Sequence, residues 1–532
     1  MPTRRAFLKT NSLLAAGAWM GGAPSIAGAQ APDAQGSPIA ETACGKLRGT
    51  TESGVHVFRG VPYGADTSGK NRFMPPRKPS PWQGTRDAVA YGPCAPQPLP
   101  SGNYDYTRSS LWATLPGGSG EDCLVLNVWT PALKDGGKRA VMFCIHGGGF
   151  TTGTGNNAVF DGRALAQRGD VVVVSVNHRL GALGFLHLGD FAPEFASSGV
   201  VGLMDLVAAL EWVRDNIENF GGDPGRVLIF GQSGGGAKVC HLMAMPSAKG
   251  LFHRAAVESG AALRSGTREQ AENTRNSLLE RLALPSSRFR ELQQAPYDIL
   301  IGAQGASGAR FGPFVDGVVV PRDPFDPDAP PVSAEVPLIA GTNLHDNNLL
   351  RTDFSIDDAA AQQQLHRILG DETARIWAAY RQADPRATAA RLWARISSDH
   401  GIRANTRTLI ERKAVQGGAP GFLYLLEWPA PFMGGRYGSV HGTDVPLIFH
   451  NPEVWPLTAG SPQGPILADT MSSAFIAFAK TGRPGTPELA WEAYRPETKP
   501  TMIFNVQSGV RNDPDRDLLA LVPKSTSMNG MG

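Results

Sequence analysis

Five short runs of apolar residues, rich in β-branched side chains, recur along the chain and constrain its fold more than any other feature. Near-continuous apolar strands are typical of a sheet that is covered on both faces. Helical patterns lie between the runs, such as the apolar residues that recur every three or four positions from Leu203 to Ile217. Strands that alternate with helices predict an α/β fold with a mostly parallel sheet. The predicted strands are Ala140–Ile145, Val171–Val176, Val227–Phe230, Val336–Ala340 and Phe422–Leu426.

Charge and cysteine content exclude several classes of protein. The 50 lysines and arginines nearly balance the 48 acidic residues, and no block of like charge stands out. A nucleic-acid-binding protein normally carries a basic patch, so no nucleic-acid partner is expected. Five cysteines in 532 residues exclude a disulfide scaffold. No Cys/His spacing resembles a zinc site, and neither a metal nor a cofactor is expected.

The first 29 residues predict an export signal. Arg4 and Arg5 precede the apolar run Leu13–Ala23, and Ala27–Ala29 supplies the small residues that a signal peptidase accepts. The run is too short for the ~20 residues that a membrane-spanning helix needs. The arginine pair resembles the twin-arginine signal of bacteria, although a cytosolic helix with a chance arginine pair is the alternative. We expect a periplasmic or secreted protein without stable membrane insertion, whose export partner is the twin-arginine translocase.

The remaining residues, 30–532, are expected to form a single domain. Two stretches, at about 261–335 and 347–420, are rich in Ala, Arg and Gln at helical spacing. They interrupt the alternation of strands and helices. We therefore expect them to be helical insertions at one end of the sheet.

The strongest chemical signal is a serine in a glycine-rich turn. Val227–Phe230 continues directly into Gly231-Gln232-Ser233-Gly234-Gly235, and a helix is expected from Gly236 to Met243. A G-x-S-x-G motif between a strand and a helix holds its serine in a strained turn, with the hydroxyl raised above the sheet. Ser233 is therefore the candidate nucleophile. The alternatives are an idle serine in a turn and a phosphate loop, but the lysine and hydroxyl residue of a phosphate loop are not at their positions.

A second glycine-rich segment, His146–Phe150, follows the strand that ends at Ile145. In serine hydrolases of this architecture, such an H-G-G-G loop supplies backbone N–H donors to the oxyanion of the reaction. Four other segments complete a resemblance to the type-B carboxylesterases, which extends from about residue 38 to about residue 506. These segments are Phe58–Tyr63, Glu121–Pro131, Asn177–Gly181 and Asn219–Pro224.

The resemblance implies an α/β-hydrolase fold, with helical insertions over an active-site gorge, and hydrolysis of carboxylic esters. The implied substrate is a small-molecule or lipid-like ester, and no cofactor is implied. Ser233 would be the nucleophile, and Gly148, Gly149 and Gly234 would be the donors of the oxyanion hole. The family usually has alanine where this chain has Gly234, and glutamate where it has Gln232. The N–H group at position 234 is retained, on a less restrained backbone.

His441 is the candidate base, because Gly438–Asp444 resembles the G-x-x-H-G-x-E segment of the family. An imidazole is suited to proton transfer near neutral pH. The resemblance also implies that Asp444 matches the glutamate of that segment and supports the site from behind the histidine.

The acid is expected at Asp346, where the family has glutamate. Because aspartate is one methylene shorter, the loop or His441 must shift to keep a contact of about 2.6–3.2 Å. Asp316 and Asp399 are the competitors for this role. We interpret Asp316 as a turn residue and Asp399 as support near the site.

The resemblance further implies a disulfide between Cys94 and Cys123, which would close a loop over the gorge. The other three cysteines have no obvious partners. Two alternatives to an esterase remain open. One is a serine hydrolase of another acyl bond, such as an amide or a carbonate. The other is a non-catalytic, cholinesterase-like binding protein, against which the retained Ser233, His441 and glycine loop argue.

Overall fold

The computed structural model describes residues 36–99, 105–106, 114–351 and 353–523. The predicted export signal, residues 1–29, lies outside them. From Pro38 onward the described residues form one compact unit. The strands of this part of the chain are β1 (Ile39–Thr42), β2 (Gly45–Arg48), β3 (Thr50–Glu52), β4 (Val55–Pro62), β5 (Thr85–Asp87), β6 (Val125–Thr130), β7 (Arg139–Ile145), β8 (Val172–Val176), β9 (Gly222–Gln232), β10 (Arg254–Glu258), β11 (Leu338–Asn343), β12 (Gly421–Leu426), β13 (Pro500–Phe504) and β14 (Gly509–Asn512).

Eleven of these strands form one sheet, in the order β14-β13-β12-β11-β10-β9-β7-β8-β6-β4-β3. The strands from β13 to β9 are parallel to one another, and β7 pairs in parallel with both β9 and β8. Antiparallel strands occupy the two ends of the sheet. The predicted α/β fold with a mostly parallel sheet is confirmed. A separate small sheet contains β1, β2 and β5.

All five predicted strands are present, as β7, β8, β9, β11 and β12. Their side chains are buried on both faces, as the continuous apolar runs predict. Along β7, Val141, Phe143 and Ile145 belong to one core cluster, whereas Met142 and Cys144 belong to the cluster on the opposite face. This alternation follows from the two-residue period of a strand. The sheet therefore separates two apolar cores.

Helices cover both faces of the sheet. In the described residues the α-helices are α1 (Arg163–Gly169), α2 (Gly181–Phe185), α3 (Val201–Asn216), α4 (Gly234–Ala244), α5 (Arg268–Arg281), α6 (Tyr297–Ser307), α7 (Asp358–Leu369), α8 (Thr373–Ala383), α9 (Ala389–His400), α10 (Ile402–Val415), α11 (Asp444–Ile448), α12 (Gln463–Thr481) and α13 (Arg516–Leu521). Helix α3 contains most of the apolar pattern that starts at Leu203. Helix α4 follows Ser233 directly, two residues earlier than expected.

The two stretches outside the alternating pattern differ from each other. The first contains α5 and α6, and its part from about 308 to 330 has no α-helix. The second contains α7 to α10, of which α7 to α9 build a small apolar cluster of their own. In contrast, α10 lies on the sheet, since its Leu409 and Ile410 are buried in a main core.

One helical stretch of the described residues, Pro193–Phe220, is long and apolar enough to cross a membrane by length and composition. Within its most apolar window, 72% is buried inside the protein. That burial is typical of a core helix, and α3 supplies most of the segment.

The expected disulfide between Cys94 and Cys123 is wrong, because all five cysteines are free thiols. The Sγ atom of Cys94 lies 3.0 Å from Oγ1 of Thr154 and 3.4 Å from the carbonyl oxygen of Pro116. Cys123 is fully buried within the main apolar core. Burial raises the pKa of both thiols above the ordinary cysteine value. Each cysteine is thus a small buried residue with local contacts of its own.

Candidate active site

Ser233 occupies a strained turn between β9 and α4. Its backbone angles are φ 59° and ψ −124°, a conformation that is costly for any residue except glycine. The turn is held on both sides, because the N–H of Ser233 donates to the carbonyl of Glu258 at 2.8 Å and its carbonyl accepts from Ala237 at 3.1 Å. The side chain remains partly exposed. This is the geometry that the G-x-S-x-G motif predicts.

The glycine loop His146–Phe150 leaves the end of β7 beside this turn. Gly148 and Gly149 have positive φ angles of 90° and 62°, and both are exposed. Among the described residues, neither N–H group has a hydrogen-bond partner. Gly234 is the first residue of α4, and N–H groups in a first helical turn have no partner within the helix. Three backbone donors are therefore available close to Ser233.

Gly234 allows the glycine loop to lie directly against α4. A Cβ atom at this position would come within 2.2 Å of the carbonyl oxygen of Gly149 and 2.4 Å of its Cα and N atoms. Backbone atoms cannot yield as a flexible side chain can, so only glycine fits unless the loop moves. Alanine, which is usual at this position in the family that the chain resembles, would need such a movement of the loop.

His441 and Asp346 are in direct contact. Nδ1 of His441 lies 2.8 Å from Oδ1 of Asp346, within the range expected despite the shorter acid. Both side chains are buried. With Nδ1–H donating to the carboxylate, Nε2 is left with its lone pair, and it has no partner among the described residues. The histidine is thereby oriented to accept a proton through Nε2.

The second oxygen of Asp346 accepts two further hydrogen bonds. The hydroxyl of Ser259 donates to Oδ2 at 3.0 Å, and the N–H of Asn343 donates to the same atom at 3.0 Å. These two hydrogen bonds fix the position of the carboxylate. Ser259 was not predicted, because it follows β10, a short strand with two alanines and charged ends that carries little β signal. A serine just beyond a neighbouring parallel strand is the signal that would have found it.

Strand order brings these residues to one edge of the sheet. Ser233, Ser259 and Asp346 follow β9, β10 and β11, which are parallel neighbours. A Cβ atom on Gly260 would lie 2.0 Å from the carbonyl oxygen of Ser233, so the turn of Ser233 packs against the residue after Ser259. His441 reaches the same edge from the loop after β12, where the Tyr106 hydroxyl donates to its carbonyl at 2.7 Å.

A buried acidic cluster lies behind the histidine. Asp444 accepts from the hydroxyl of Tyr424 at 2.8 Å and from Nδ2 of Asn343 at 3.3 Å. Burial, together with the charge of Asp346, raises the pKa of Asp444 to about 6. Burial and the nearby Asp444 also raise the pKa of Glu258 well above its ordinary value. Asn343 therefore links Asp444 to the His–Asp pair, since its Nδ2 binds Asp444 and its N–H binds Asp346. Asp444 supports the pair from behind the histidine, as the resemblance implies.

The two competing acids do not contact His441. Oδ1 of Asp316 accepts from the N–H groups of Val318 and Val320, as expected for a turn residue. Asp399 lies in α9, where it is bound by Nη1 of Arg403 at 2.9 Å and by the Tyr380 hydroxyl at 2.8 Å. Its carboxylate belongs to an ion cluster within the helical region.

A cavity of about 480 Å³ opens beside the glycine loop. It begins at Phe150, the residue after Gly149, and at His241 on α4, and polar residues of α5 line its far side. Its aromatic lining consists of Phe150, Phe185, Phe311 and Phe314. Pockets of roughly 300–1,000 Å³ with mixed apolar and polar walls are typical of small-molecule sites.

One cluster of possible metal ligands occurs among the described residues, formed by His187, Asp190 and Glu272. Asp190 already accepts from Arg268 and Arg275, and His187 Nε2 lies 3.1 Å from the same carboxylate. The arginines supply the positive charge that a cation would bring. This cluster is an ion-pair network.

A mostly parallel sheet with a strained serine between strand and helix, opposite a glycine loop, defines an α/β-hydrolase. The chain belongs to the carboxylesterase family, whose model matches residues 36–519. It is 35% identical to para-nitrobenzyl esterase from Bacillus subtilis (strain 168), over 90% of this chain and 97% of that protein. It is 32% identical to phenmedipham hydrolase from Pseudarthrobacter oxydans, over 88% and 94% of the two chains. A solved carboxylesterase of Geobacillus stearothermophilus superposes with a TM-score of 0.79 at 34% identity, covering 91% of this chain and 99% of its own. The protein is a carboxylic ester hydrolase.

Proposed function

We propose that the protein cleaves carboxylic esters through an acyl-enzyme formed on Ser233. The Ser233 hydroxyl attacks the ester carbonyl while Nε2 of His441 takes its proton, and the protonated imidazole then gives that proton to the leaving alcohol. A water molecule, activated by the same histidine, releases the acid and restores the serine. Asp346 holds the imidazole through Nδ1 and stabilises its positive charge.

The tetrahedral intermediate carries a negative oxygen, which needs donors that are already in place. The N–H groups of Gly148, Gly149 and Gly234 fill this role in the proposal. Donors that are fixed before the reaction stabilise the oxyanion at no reorganisation cost, and removing one typically lowers turnover by roughly 10²–10³-fold.

The observation that carries the proposal is the His441–Asp346 contact of 2.8 Å, with Nε2 of the histidine unpartnered among the described residues. A buried imidazole that is bound to a carboxylate through Nδ1 can accept a proton through Nε2, as a general base must. A non-catalytic binding protein would have no need of a strained serine beside such a pair.

The cavity beside Phe150 is not lined by Ser233 or His441, so the substrate class is proposed from the similar proteins. One similar protein is a para-nitrobenzyl esterase by name, so aryl and benzyl esters are the first class to test. The test compares wild type with Ser233→Ala on a panel of aryl, benzyl and alkyl esters beside the matched amides. We expect saturable ester hydrolysis by wild type alone, with amides cleaved far more slowly. Turnover of amides at comparable kcat/KM would contradict the ester assignment.

We also propose that the protein is exported from a bacterial cytoplasm by the twin-arginine translocase and works in the periplasm or outside the cell. Arg4, Arg5 and the short apolar run that follows them support this proposal.

A further inference from the structure

Lys238 is a buried charged residue that the mechanism above does not use. It lies in α4 with its side chain fully inaccessible to solvent. Among the described residues, no carboxylate lies within ion-pair distance of its ammonium group. Burial lowers the pKa of Lys238 from 10.5 to about 7. Burying a lysine without a counter-charge lowers the stability of the folded protein. We therefore looked for a role of Lys238 at this position.

Among the described residues, the single hydrogen bond of the Lys238 ammonium goes to the glycine loop. Nζ donates to the carbonyl oxygen of His146 at 3.0 Å, and it lies 5.7 Å from the ring centroid of Phe150. These two residues are the first and the last of the loop. The carbonyl of His146 lies just past the end of β7, where the strand ladder no longer supplies a donor. Lys238 therefore satisfies a buried acceptor at the base of the oxyanion hole.

Helix geometry places Lys238 and Gly234 on the same face of α4, because they are four residues apart. Gly234 contacts the backbone of Gly149, and a Cβ atom on Gly235 would lie 2.1 Å from the carbonyl oxygen of Ile145. This face of α4 thus contacts the glycine loop from its start to its end. Lys238 supplies the polar contact and the glycines supply the close approach.

Two buried histidines, His146 and His178, lie near Lys238. The ring of His146 stacks on that of His178, with centroids 5.0 Å apart. Burial, and next the charge of Lys238, hold the pKa of each histidine well below its usual value. Both rings are therefore neutral near pH 7.

We propose that Lys238 is a positioning residue of the oxyanion hole: by binding the carbonyl of His146, it holds the glycine loop against α4, so that the N–H groups of Gly148 and Gly149 stay directed at the carbonyl that reacts with Ser233. This inference rests on the proposed function. The lysine would act on the transition state. If the glycine loop moved away from α4, the ester could still bind, but the N–H groups of the loop would stabilise the oxyanion less well.

The test is Lys238→Met, which keeps the length of the side chain and removes the donor. We expect kcat for an aryl ester to fall roughly tenfold or more, in the direction of the loss seen when an oxyanion donor is removed, with KM within about twofold of wild type. Lys238→Gln retains a shorter donor and is expected to recover part of the lost kcat. If Lys238→Met does not fold, Lys238→Leu takes its place.

Lys413 provides a matched control, because it is another buried lysine with carbonyl partners. Its Nζ donates to Ala334 at 2.5 Å, and burial lowers its pKa to about 8. Ala334 precedes β11, at the edge of the sheet opposite to Ser233. Lys413→Met is expected to change thermal stability and leave kcat near wild type.

Wild-type kcat in folded Lys238→Met, or a kcat loss equal to that of Lys413→Met, would overturn the role of Lys238 while leaving the esterase proposal intact. Absence of both ester turnover and fluorophosphonate labelling in wild type would instead reject the proposed function, and the inference with it.

Discussion

The carboxylate of Asp346 reaches His441 at 2.8 Å, although it is one methylene shorter than the glutamate usual at this position. The contact is kept because the acid is held from three sides. His441 binds one oxygen, whereas the Ser259 hydroxyl and the N–H of Asn343 bind the other. The loop after β11 is therefore built for aspartate, and the pair is fixed before any substrate binds.

Replacing Asp346 tests its role in catalysis. Asp346→Asn is expected to lower kcat for an aryl ester by roughly 10⁴-fold, because the imidazole loses the partner that orients it and balances its charge. KM should change little. Asp316→Asn is the control, since Asp316 only caps a turn, and it should lower the thermal midpoint more than kcat. Substantial activity in Asp346→Asn would move the acid to another residue.

Asp346→Glu restores the residue that is usual in the family. Here we expect activity to fall, because Asp346 is fully buried and both of its oxygens are already bound at 2.8–3.0 Å. An extra methylene has no room without displacing His441 or Ser259. Steady-state kinetics beside wild type are the measurement, and a kcat equal to or above wild type would contradict the packing described above.

Gly234→Ala tests the contact between α4 and the glycine loop. A new Cβ atom 2.2 Å from the Gly149 carbonyl oxygen must displace the loop, so kcat should fall by roughly 10²-fold, as for loss of an oxyanion donor. Gly302→Ala in α6 is the matched control, because nothing lies within 4 Å of its Cβ position. It should retain wild-type kcat. Equal activity in the two variants would show that the loop tolerates alanine.

Stability should depend on pH through Asp444. Its pKa is raised to about 6 in the folded protein, whereas the unfolded value is about 3.9. The folded state therefore binds more protons at Asp444 between these values, and the contribution of Asp444 to the free energy of unfolding decreases as pH rises from about 4 to 6. Asp444→Asn lacks this contribution, so the difference in the free energy of unfolding between wild type and the variant should change over this range. Urea titrations of both proteins from pH 4 to 7 measure it, and parallel curves would contradict the shift.

Export should depend on the arginine pair. Arg4→Lys combined with Arg5→Lys is expected to leave the protein in the cytoplasm, because the translocase recognises the two arginines. Cell fractionation followed by an esterase assay of each fraction is the measurement. Normal amounts of the double variant in the periplasm would exclude this route.

Sequence patterns predicted the fold and the positions of the candidate site residues for different physical reasons. The strands β7 and β8 are recognisable because continuous burial demands continuous apolar residues. Ser233 and His441 are recognisable because their motifs are local. The contacts that hold these residues in place are not local. Ser259 follows β10 and donates to Asp346 after the neighbouring strand β11, although the two residues are 87 positions apart in sequence. The contact of Lys238 with His146 likewise joins two segments that only the sheet brings together.

The prediction of a disulfide was wrong. The resemblance to the carboxylesterase family implied a bridge between Cys94 and Cys123. A bridge requires the two sulfur atoms to approach each other, and the spacing of cysteines in a sequence does not show whether they do. In this chain Thr154 binds one thiol and the apolar core encloses the other. Cysteine identity is visible in the sequence, whereas the direction of each side chain is set by its neighbours in the fold.

The proposed nucleophile, Ser233, can be labelled directly. Wild-type protein and Ser233→Ala are treated with an aryl fluorophosphonate, digested, and analysed by peptide mass spectrometry. One covalent adduct per chain on the peptide that contains Ser233, formed as ester turnover is lost and absent from Ser233→Ala, is the predicted result. An adduct at another residue, or full ester turnover by Ser233→Ala, would contradict the mechanism.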